Sequence, residues 1–272
     1  MNFSFIYGTA WKKERTEALV TLALENGFVA VDTANQAKHY TESLVGDAFS
    51  KFIKRGHARE QFFIQTKFTS LDGQDHRLPY DRTAKISIQV EQSIESSLKQ
   101  LQVDYVDSYL LHGPYNYPDL GEEDWEVWGA LEKVYHDGKT KRIGVSNINH
   151  RQLIALLERS TVKPSVVQNR CFAETGWDFH VRKICDAFKI SYQGFSLLTA
   201  NPFVMDFPEV KKMAERLGVE PAQVVFIFAH QSGMIPLTGT QNPIHMAQDL
   251  SAMKYRLDSS ELEFLLQCGL KE

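Results

Sequence analysis

The chain has 272 residues, room for one β/α barrel of about 250 or for two small domains. With 43% hydrophobic and 24% charged residues it has the balance of a globular protein with an ordinary core, which argues against disorder. A net charge of −4 forces no basic face and so gives no support to nucleic-acid binding.

Met1 to Tyr7 is apolar but lacks a basic start, a long apolar stretch and a small-residue cleavage site, so no signal peptide is expected. From there short β-branched and aromatic runs alternate with longer stretches at helical spacing. Ile6 to Gly8 reads as the first strand; Leu19, Leu22 and Ala23 then share a helical face that ends at Gly27. Phe28 to Asp32 is the second strand, with a helix around Leu44, Val45, Ala48 and Phe49. Phe62 to Lys67 is the third, and its helix carries Ile86, Val90, Ile94, Leu98 and Leu101 on one stripe. Val106 to His112 is the fourth; Trp128, Leu131 and Tyr135 mark a helix that stops at Gly138. Arg142 to Val145 is the fifth, with a short helix through Leu153 and Leu157. Ser165 to Asn169 is the sixth, with a helix near Val181 to Phe188, and Ile190 to Phe195 is the seventh. An irregular stretch with Pro202 and Pro208 leads to helical pieces at Glu209 to Leu217 and Pro221 to His230. Met234 to Leu237 is the eighth strand, Pro243 to Met253 its helix, and Ser259 to Cys268 a last helix with no strand after it.

Strict strand–helix alternation predicts a parallel sheet, because parallel strands need crossover connections. Eight such units predict a single α/β domain over 1–272, a closed (β/α)8 TIM barrel with a short C-terminal extension. The runner-up, a doubly wound open sheet, usually carries a glycine-rich first turn, and Gly8-Thr9-Ala10-Trp11 has one glycine. The longest apolar runs, such as Val224 to Ala229, fall far short of the ~20 residues a membrane helix needs, so no membrane is expected. The three cysteines, Cys171, Cys185 and Cys268, form no CxxC pair; an odd, sparse set suits reduced thiols in the cytoplasm. The expected assembly is a monomer or weak oligomer.

In a β/α barrel chemistry sits at the C-terminal strand ends. Asp32, Lys67 and His112 end the second, third and fourth strands, Ser146 and Asn147 follow the fifth, and Gln168 and Asn169 end the sixth. Any one of them is equally readable as the first solvated position after a strand. Asp32, Lys67 and His112 together, on consecutive strands and each after an apolar run, open toward one mouth. A Schiff-base aldolase would use Lys67. A metal hydrolase is weakly supported and no metal is expected, since the nine histidines show no HxH or HExxH spacing. A glycosidase needs two facing carboxylates, and only Asp32 is well placed.

These residues resemble the aldo-keto reductase superfamily. Asp32-Thr33-Ala34 with Glu42-Ser43-Leu44-Val45-Gly46 looks like its second-strand signature, and Thr66-Lys67 like its third-strand lysine. Tyr109-Leu110-Leu111-His112, Ile143-Gly144-Val145-Ser146-Asn147, Val167-Gln168-Asn169 and Ile235-Pro236 continue the match in order, from about Gly8 to Asp249. The resemblance implies a carbonyl reductase with a catalytic set of Asp32, Tyr40, Lys67 and His112. A phenol would protonate the carbonyl oxygen as hydride reaches the carbon. Its free pKa of ~10 would be lowered by the Lys67 ammonium, itself held by Asp32, while His112 would orient the carbonyl. The segment from Asp32 to Glu42 is about two residues longer than the commonest family form, and counting back from Glu42 puts His39 at the acid position. Tyr40 is preferred because the chemistry needs a phenol.

The resemblance also implies contacts to a nicotinamide nucleotide. Ser146 and Asn147, helped by Gln168, would hold the nicotinamide carboxamide and Phe195 would stack on its ring; Gly8, Thr9, Ser196 and Leu198 are further expected cofactor contacts, and Thr238, Thr240, His245, Gln248 and Asp249 resemble the adenosine-phosphate segment. The family's lysine after Ile-Pro is Leu237 here, and its arginine position is His245. Losing both removes charge-assisted bonds to a 2′-phosphate, so NADPH is the first expectation and NADH is possible. Trp11, His39, Phe68, Tyr115 and Phe172 are the expected walls of the substrate pocket, equally readable as core aromatics. The altered phosphate contacts keep an alternative open: a nucleotide-binding barrel with a regulatory or sensor role and little turnover.

Overall fold

The computed structural model describes residues 3–270. Residues 1–2 and 271–272, the ends of the expected 1–272 barrel and of the apolar Met1 start, lie outside the described residues. Eight strands, β1 (Ile6–Gly8), β2 (Ala30–Asp32), β3 (Phe63–Phe68), β4 (Ser108–Leu111), β5 (Ile143–Ser146), β6 (Val166–Arg170), β7 (Ser191–Phe195) and β8 (Met234–Thr238), pair in parallel in sequence order. β8 returns to β1 through Ile6↔Leu237 and Tyr7↔Thr238, so the sheet is a closed barrel without an open edge. This is the TIM barrel that the alternation predicts.

Crossovers are supplied by α1 (Thr16–Glu25), α2 (Glu42–Lys54), α3 (Ile86–Leu101), α4 (Glu122–His136), α5 (His150–Arg159), α6 (Phe179–Ala187) and α7 (Pro208–Leu217) with α8 (Pro221–Gln231), and α9 (Pro243–Ala252) follows β8. α10 (Ser259–Gln267) follows as the extension. Two strands are shorter than the apolar runs that announce them. Phe28-Val29 precedes β2, and Val106 makes only an isolated bridge to Thr140. Strands that tilt in a closed barrel overrun their neighbours, so apolar character extends beyond pairing.

Side chains alternate between two compartments, since successive residues of a strand face opposite sides. On β3, Phe63 packs inside the barrel with Ile6, Ala30 and Leu237. Ile64 and Phe68 belong to the large outer core between strands and helices, with Trp128, Trp177 and Phe226. Gln65 and Lys67 share the inward face with Phe63. Close approach demands glycine at Gly144 and Gly46, among other positions. A Cβ on Gly144 of β5 would lie 2.2 Å from the Val166 carbonyl oxygen, and one on Gly46 of α2 would lie 2.3 Å from that of Gln100 on α3.

Candidate active site

Asp32 closes β2, and its carboxylate is buried inside the barrel mouth. The Lys67 ammonium, 1% exposed, donates to both Asp32 oxygens at 2.7 Å and to the Thr33 carbonyl at 2.9 Å. Asp32 Oδ1 also accepts from Gln65 Nε2 at 2.7 Å and Gln168 Nε2 at 3.0 Å. Gln193 Oε1 accepts from the same two amides, and Gln193 Nε2 returns a bond to Gln65 Oε1 at 3.0 Å. Side chains from β2, β3, β6 and β7 thus form one polar layer across the barrel. A buried ion pair repays its desolvation only when its remaining lone pairs are satisfied, and this layer satisfies them.

Tyr40 stands in the loop between β2 and α2. The backbone N–H groups of His39 and Tyr40 both donate to the Gln36 carbonyl at 3.0 Å, a tight turn that throws the two rings to different sides. Tyr40 lines the main cleft with Asp32 and His112. Its ring centroid lies 5.5 Å from Lys67 Nζ and 6.0 Å from the His112 ring. His39 instead lies against Trp11, with ring centroids 3.8 Å apart, and its Nδ1 is 2.9 Å from Gln36 Oε1. The phenol, not the imidazole, stands beside the lysine.

One expectation about this phenol is corrected. Lys67 does not lower its pKa; burial, then the facing Asp32 carboxylate, push it above the usual 10. The ammonium is spent on Asp32 and Thr33, and the phenol stays protonated, which is the state of a proton donor. Burial depresses His112 to about 3, with Lys67 and His39 adding to the effect, so that imidazole is neutral. Its Nδ1 is 2.7 Å from Thr69 Oγ1, and its carbonyl accepts from Asn147 Nδ2 at 2.8 Å. Behind β3, Glu42 is a buried carboxyl pushed up to about 7 by burial; it accepts hydrogen bonds from Thr66 and Ser97.

The main cleft, about 570 Å³, is lined by Gly8, Trp11, Lys12, Asp32, Tyr40, His112, Ser146, Gln168, Phe195, Ser196, Leu198, Leu237, Thr238, Thr240 and His245, among others. A second cleft of about 530 Å³ shares Leu198, Thr238, Thr240 and His245 with it and adds Gln248, Asp249 and the start of α8. Together they make one trough from Tyr40 to α9, whose N-terminus is capped by Asn242 accepting from Ile244 N. Trp11, Asn147 and Ser196 hold positive φ values of 65°, 56° and 56° where β1, β5 and β7 open into the mouth, and such strain concentrates at functional sites.

Several expected contacts lie elsewhere. Phe68 is not a wall of the cleft. It follows Lys67 by one residue, so it faces the opposite side of β3, fully buried against Tyr80 in the outer core. His39, Tyr115 and Phe172 are not among the lining residues of either cleft. Tyr115 packs on the outer core, and Phe172 lies under the Arg170 guanidinium at 5.5 Å. Thr9 is fully buried and spends its hydroxyl on the Asp32 carbonyl at 2.9 Å, while Asn147 faces His112 rather than the trough.

Three features escape the sequence reading. Gln65 and Gln193 complete the polar layer; a period-two reading from Lys67 back to Gln65 would have found the first. Lys12 enters the cleft with Nζ donating to the Gly239 carbonyl at 2.8 Å and lying 4.9 Å from the Tyr7 ring centre. Burial, with Arg15 adding to it, lowers Lys12 to about 8. Thr69 meets His112 from a loop with no motif of its own.

The family model described as "Aldo/keto reductase family" matches residues 4–173. The chain belongs to the aldo/keto reductase family. Aldo-keto reductase family 1 member A1 of Xenopus tropicalis is 27% identical over 94% of this chain and 82% of its own length. The glyoxal reductase of Bacillus subtilis is 29% identical over 92% of this chain and 82% of its own. The NADPH-dependent alpha-keto amide reductase of Saccharomyces cerevisiae is 26% identical over 97% and 85%. In fold, this aldo/keto reductase superimposes on MGS-M4, an aldo-keto reductase from a Medee basin deep-sea metagenome library. The TM-score is 0.84 at 23% identity, over 100% of this chain and 94% of that one. It is an oxidoreductase, and the family acts on carbonyl groups.

Proposed function

We propose that this aldo/keto reductase reduces an aldehyde or ketone at the expense of a nicotinamide nucleotide, with Tyr40 as the general acid. The observation that carries this reading is the Lys67–Asp32 clamp set beside Tyr40 and His112 at the floor of one trough. The trough fits a dinucleotide: it offers hydroxyl and amide donors along its length, carries the lysines Lys12 and Lys211, and has an apolar wall in Phe195.

A bound reduced nicotinamide supplies the hydride. Phe195 offers its ring face. Ser146 Oγ accepts from Asn147 Nδ2 at 3.2 Å, which leaves its O–H free to donate to a carboxamide. Gln168 has its amide N–H groups engaged with Asp32 and Gln193, which leaves Oε1 to accept. As charge grows on the carbonyl oxygen, Tyr40 gives up its proton there and His112 donates a hydrogen bond to the same atom. Lys67 and Asp32 hold the field around the phenol. Trp11, 64% exposed and braced by His39, covers the mouth as an aromatic wall for the substrate.

NADPH is the first nucleotide, in line with the name of the yeast relative, and NADH is accepted as well. Leu237 is apolar in the inner barrel, and His245 is exposed, so neither supplies the cation that a 2′-phosphate attracts. The working molecule is a single barrel domain, a monomer or weak oligomer. Among the described residues no helix is long and apolar enough to cross a membrane. The three free cysteines suit a reducing compartment such as the cytoplasm.

The test is consumption of NADPH and of NADH across aldehydes and ketones by the purified protein, with Tyr40→Phe alongside. Turnover that Tyr40→Phe abolishes supports the reading. No turnover with either nucleotide, or full turnover in Tyr40→Phe, overturns it.

A further inference from the structure

The reaction needs a particular tautomer of a neutral histidine. A carbonyl oxygen bearing growing negative charge is stabilised by an N–H, not by a lone pair, so His112 must carry its single proton on the ring nitrogen that faces the cleft. The other nitrogen, Nδ1, is 2.7 Å from Thr69 Oγ1. A threonine hydroxyl both donates and accepts, so the distance alone does not assign the proton; the surroundings of Thr69 do. Thr69 is buried, and among the described residues its hydroxyl has no hydrogen-bond partner but His112 Nδ1. If Nδ1 carried the proton, the hydroxyl would accept it and its own proton would be left buried without an acceptor, the costlier error. If the hydroxyl donates to Nδ1, every buried donor of the pair is used, and the imidazole proton falls on Nε2.

We propose that Thr69 is a positioning residue that selects the Nε2–H tautomer of His112 and so makes it a hydrogen-bond donor to the substrate carbonyl. The hydroxyl is itself held in place. Its backbone carbonyl accepts from the buried Tyr80 hydroxyl at 2.7 Å and from Gln74 Nε2 at 3.4 Å, which pins the loop after β3. The His112 backbone is pinned from both sides, its N–H donating to the Phe68 carbonyl at 2.9 Å and its carbonyl accepting from Asn147. With the backbone fixed, the contact between the Thr69 hydroxyl and Nδ1 restrains the rotation of the ring. Partners of this kind, which orient a working group without touching the ligand, typically change activity by roughly 10- to 100-fold when removed.

This inference rests on the reductase reading for its consequence but not for its measurement. The tautomer is read by the nitrogen chemical shifts of His112 in 15N-histidine-labelled protein, assigned with His112→Gln. The expected result for the unaltered chain is an unprotonated Nδ1 and a protonated Nε2. Thr69→Val, which keeps the shape and removes the hydroxyl, should lose that pattern. It should also lower kcat by roughly 10- to 100-fold with KM little changed, and Thr69→Ser should restore both. A protonated Nδ1 in the unaltered chain overturns the proposal, and so does Thr69→Val with unchanged shifts and kcat. Should Thr69→Val fail to fold, the unaltered chain and Thr69→Ser still decide it. Absence of carbonyl turnover in the unaltered chain would count against the reductase reading alone, because the shifts report the tautomer in either case.

Discussion

The two ends of the trough are built differently. At the Tyr40 end, Asp32 accepts from Lys67, Gln65 and Gln168, buried bonds that tie β2 to β3 and β6. At the far end, His245 is exposed, Thr240 and Gln248 are half-buried, and Lys12 is held by one carbonyl and one aromatic face. The contrast separates two kinds of cost. On the proposed function, floor side chains would hold fold and chemistry together, while far-end ones would act on affinity. Tyr40 is the exception at the floor, because among the described residues no hydrogen bond of its hydroxyl to protein appears, so its removal should touch chemistry and spare the fold.

The largest expected effect tests that exception. Tyr40→Phe removes the proton and leaves the ring. General acids contribute roughly 10²- to 10⁴-fold, so kcat for carbonyl reduction should fall by about that factor. The melting temperature and nucleotide affinity should stay near those of the unaltered chain. A large loss of melting temperature would place Tyr40 with the rest of the floor.

Lys67→Met carries the comparison into the polar layer. It leaves the Asp32 carboxylate buried with only amide donors, and breaking a buried pair costs about 3–5 kcal/mol. Denaturant unfolding should show that loss, together with loss of turnover. A variant that is dead yet as stable as its parent would show that the layer serves chemistry only.

How much of this was legible in the chain follows from the period of each element. The barrel was, because eight apolar runs alternate with helical stripes. The placement of Asp32, Lys67 and His112 at neighbouring strand ends was, because strand ends can be counted. Phe68 is no wall because it follows Lys67 by one residue, and a strand turns successive side chains to opposite faces. Tyr40 against His39 was not decidable by counting, since the turn that accepts two N–H groups at Gln36 exists only in three dimensions. Thr69–His112 joins residues 43 apart and Lys12–Gly239 residues 227 apart, and no local spacing encodes either.

Lys12 tests the far end. In the free protein it titrates at about 8. A phosphate beside it would favour the charged ammonium, so binding would raise that pKa and take up a proton as pH exceeds about 8. Affinity for NADPH should therefore be flat below that pH and fall above it, by up to about 10-fold per unit. Calorimetric titrations at several pH values should show Lys12→Met binding more weakly by roughly 10-fold near neutrality, as expected for one charge-assisted bond, and without the pH-dependent loss. Unchanged affinity in that variant would remove Lys12 from the nucleotide site.

The smallest effect is expected at His245, and it is the one that asks which nucleotide the far end was built for. His245 is exposed on the first turn of α9, where an arginine would face solvent on one side and any 2′-phosphate on the other. Exposed ion pairs are worth about 0–1 kcal/mol, so His245→Arg should tighten NADPH by only a few-fold. NADH lacks that phosphate, so its affinity should not move. The gain should shrink at high salt, because exposed charges are screened. If both nucleotides tighten equally, the arginine acts on a part they share, such as the pyrophosphate. If neither changes, the 2′-phosphate lies away from α9, and Leu237 and His245 say nothing about the choice between NADPH and NADH.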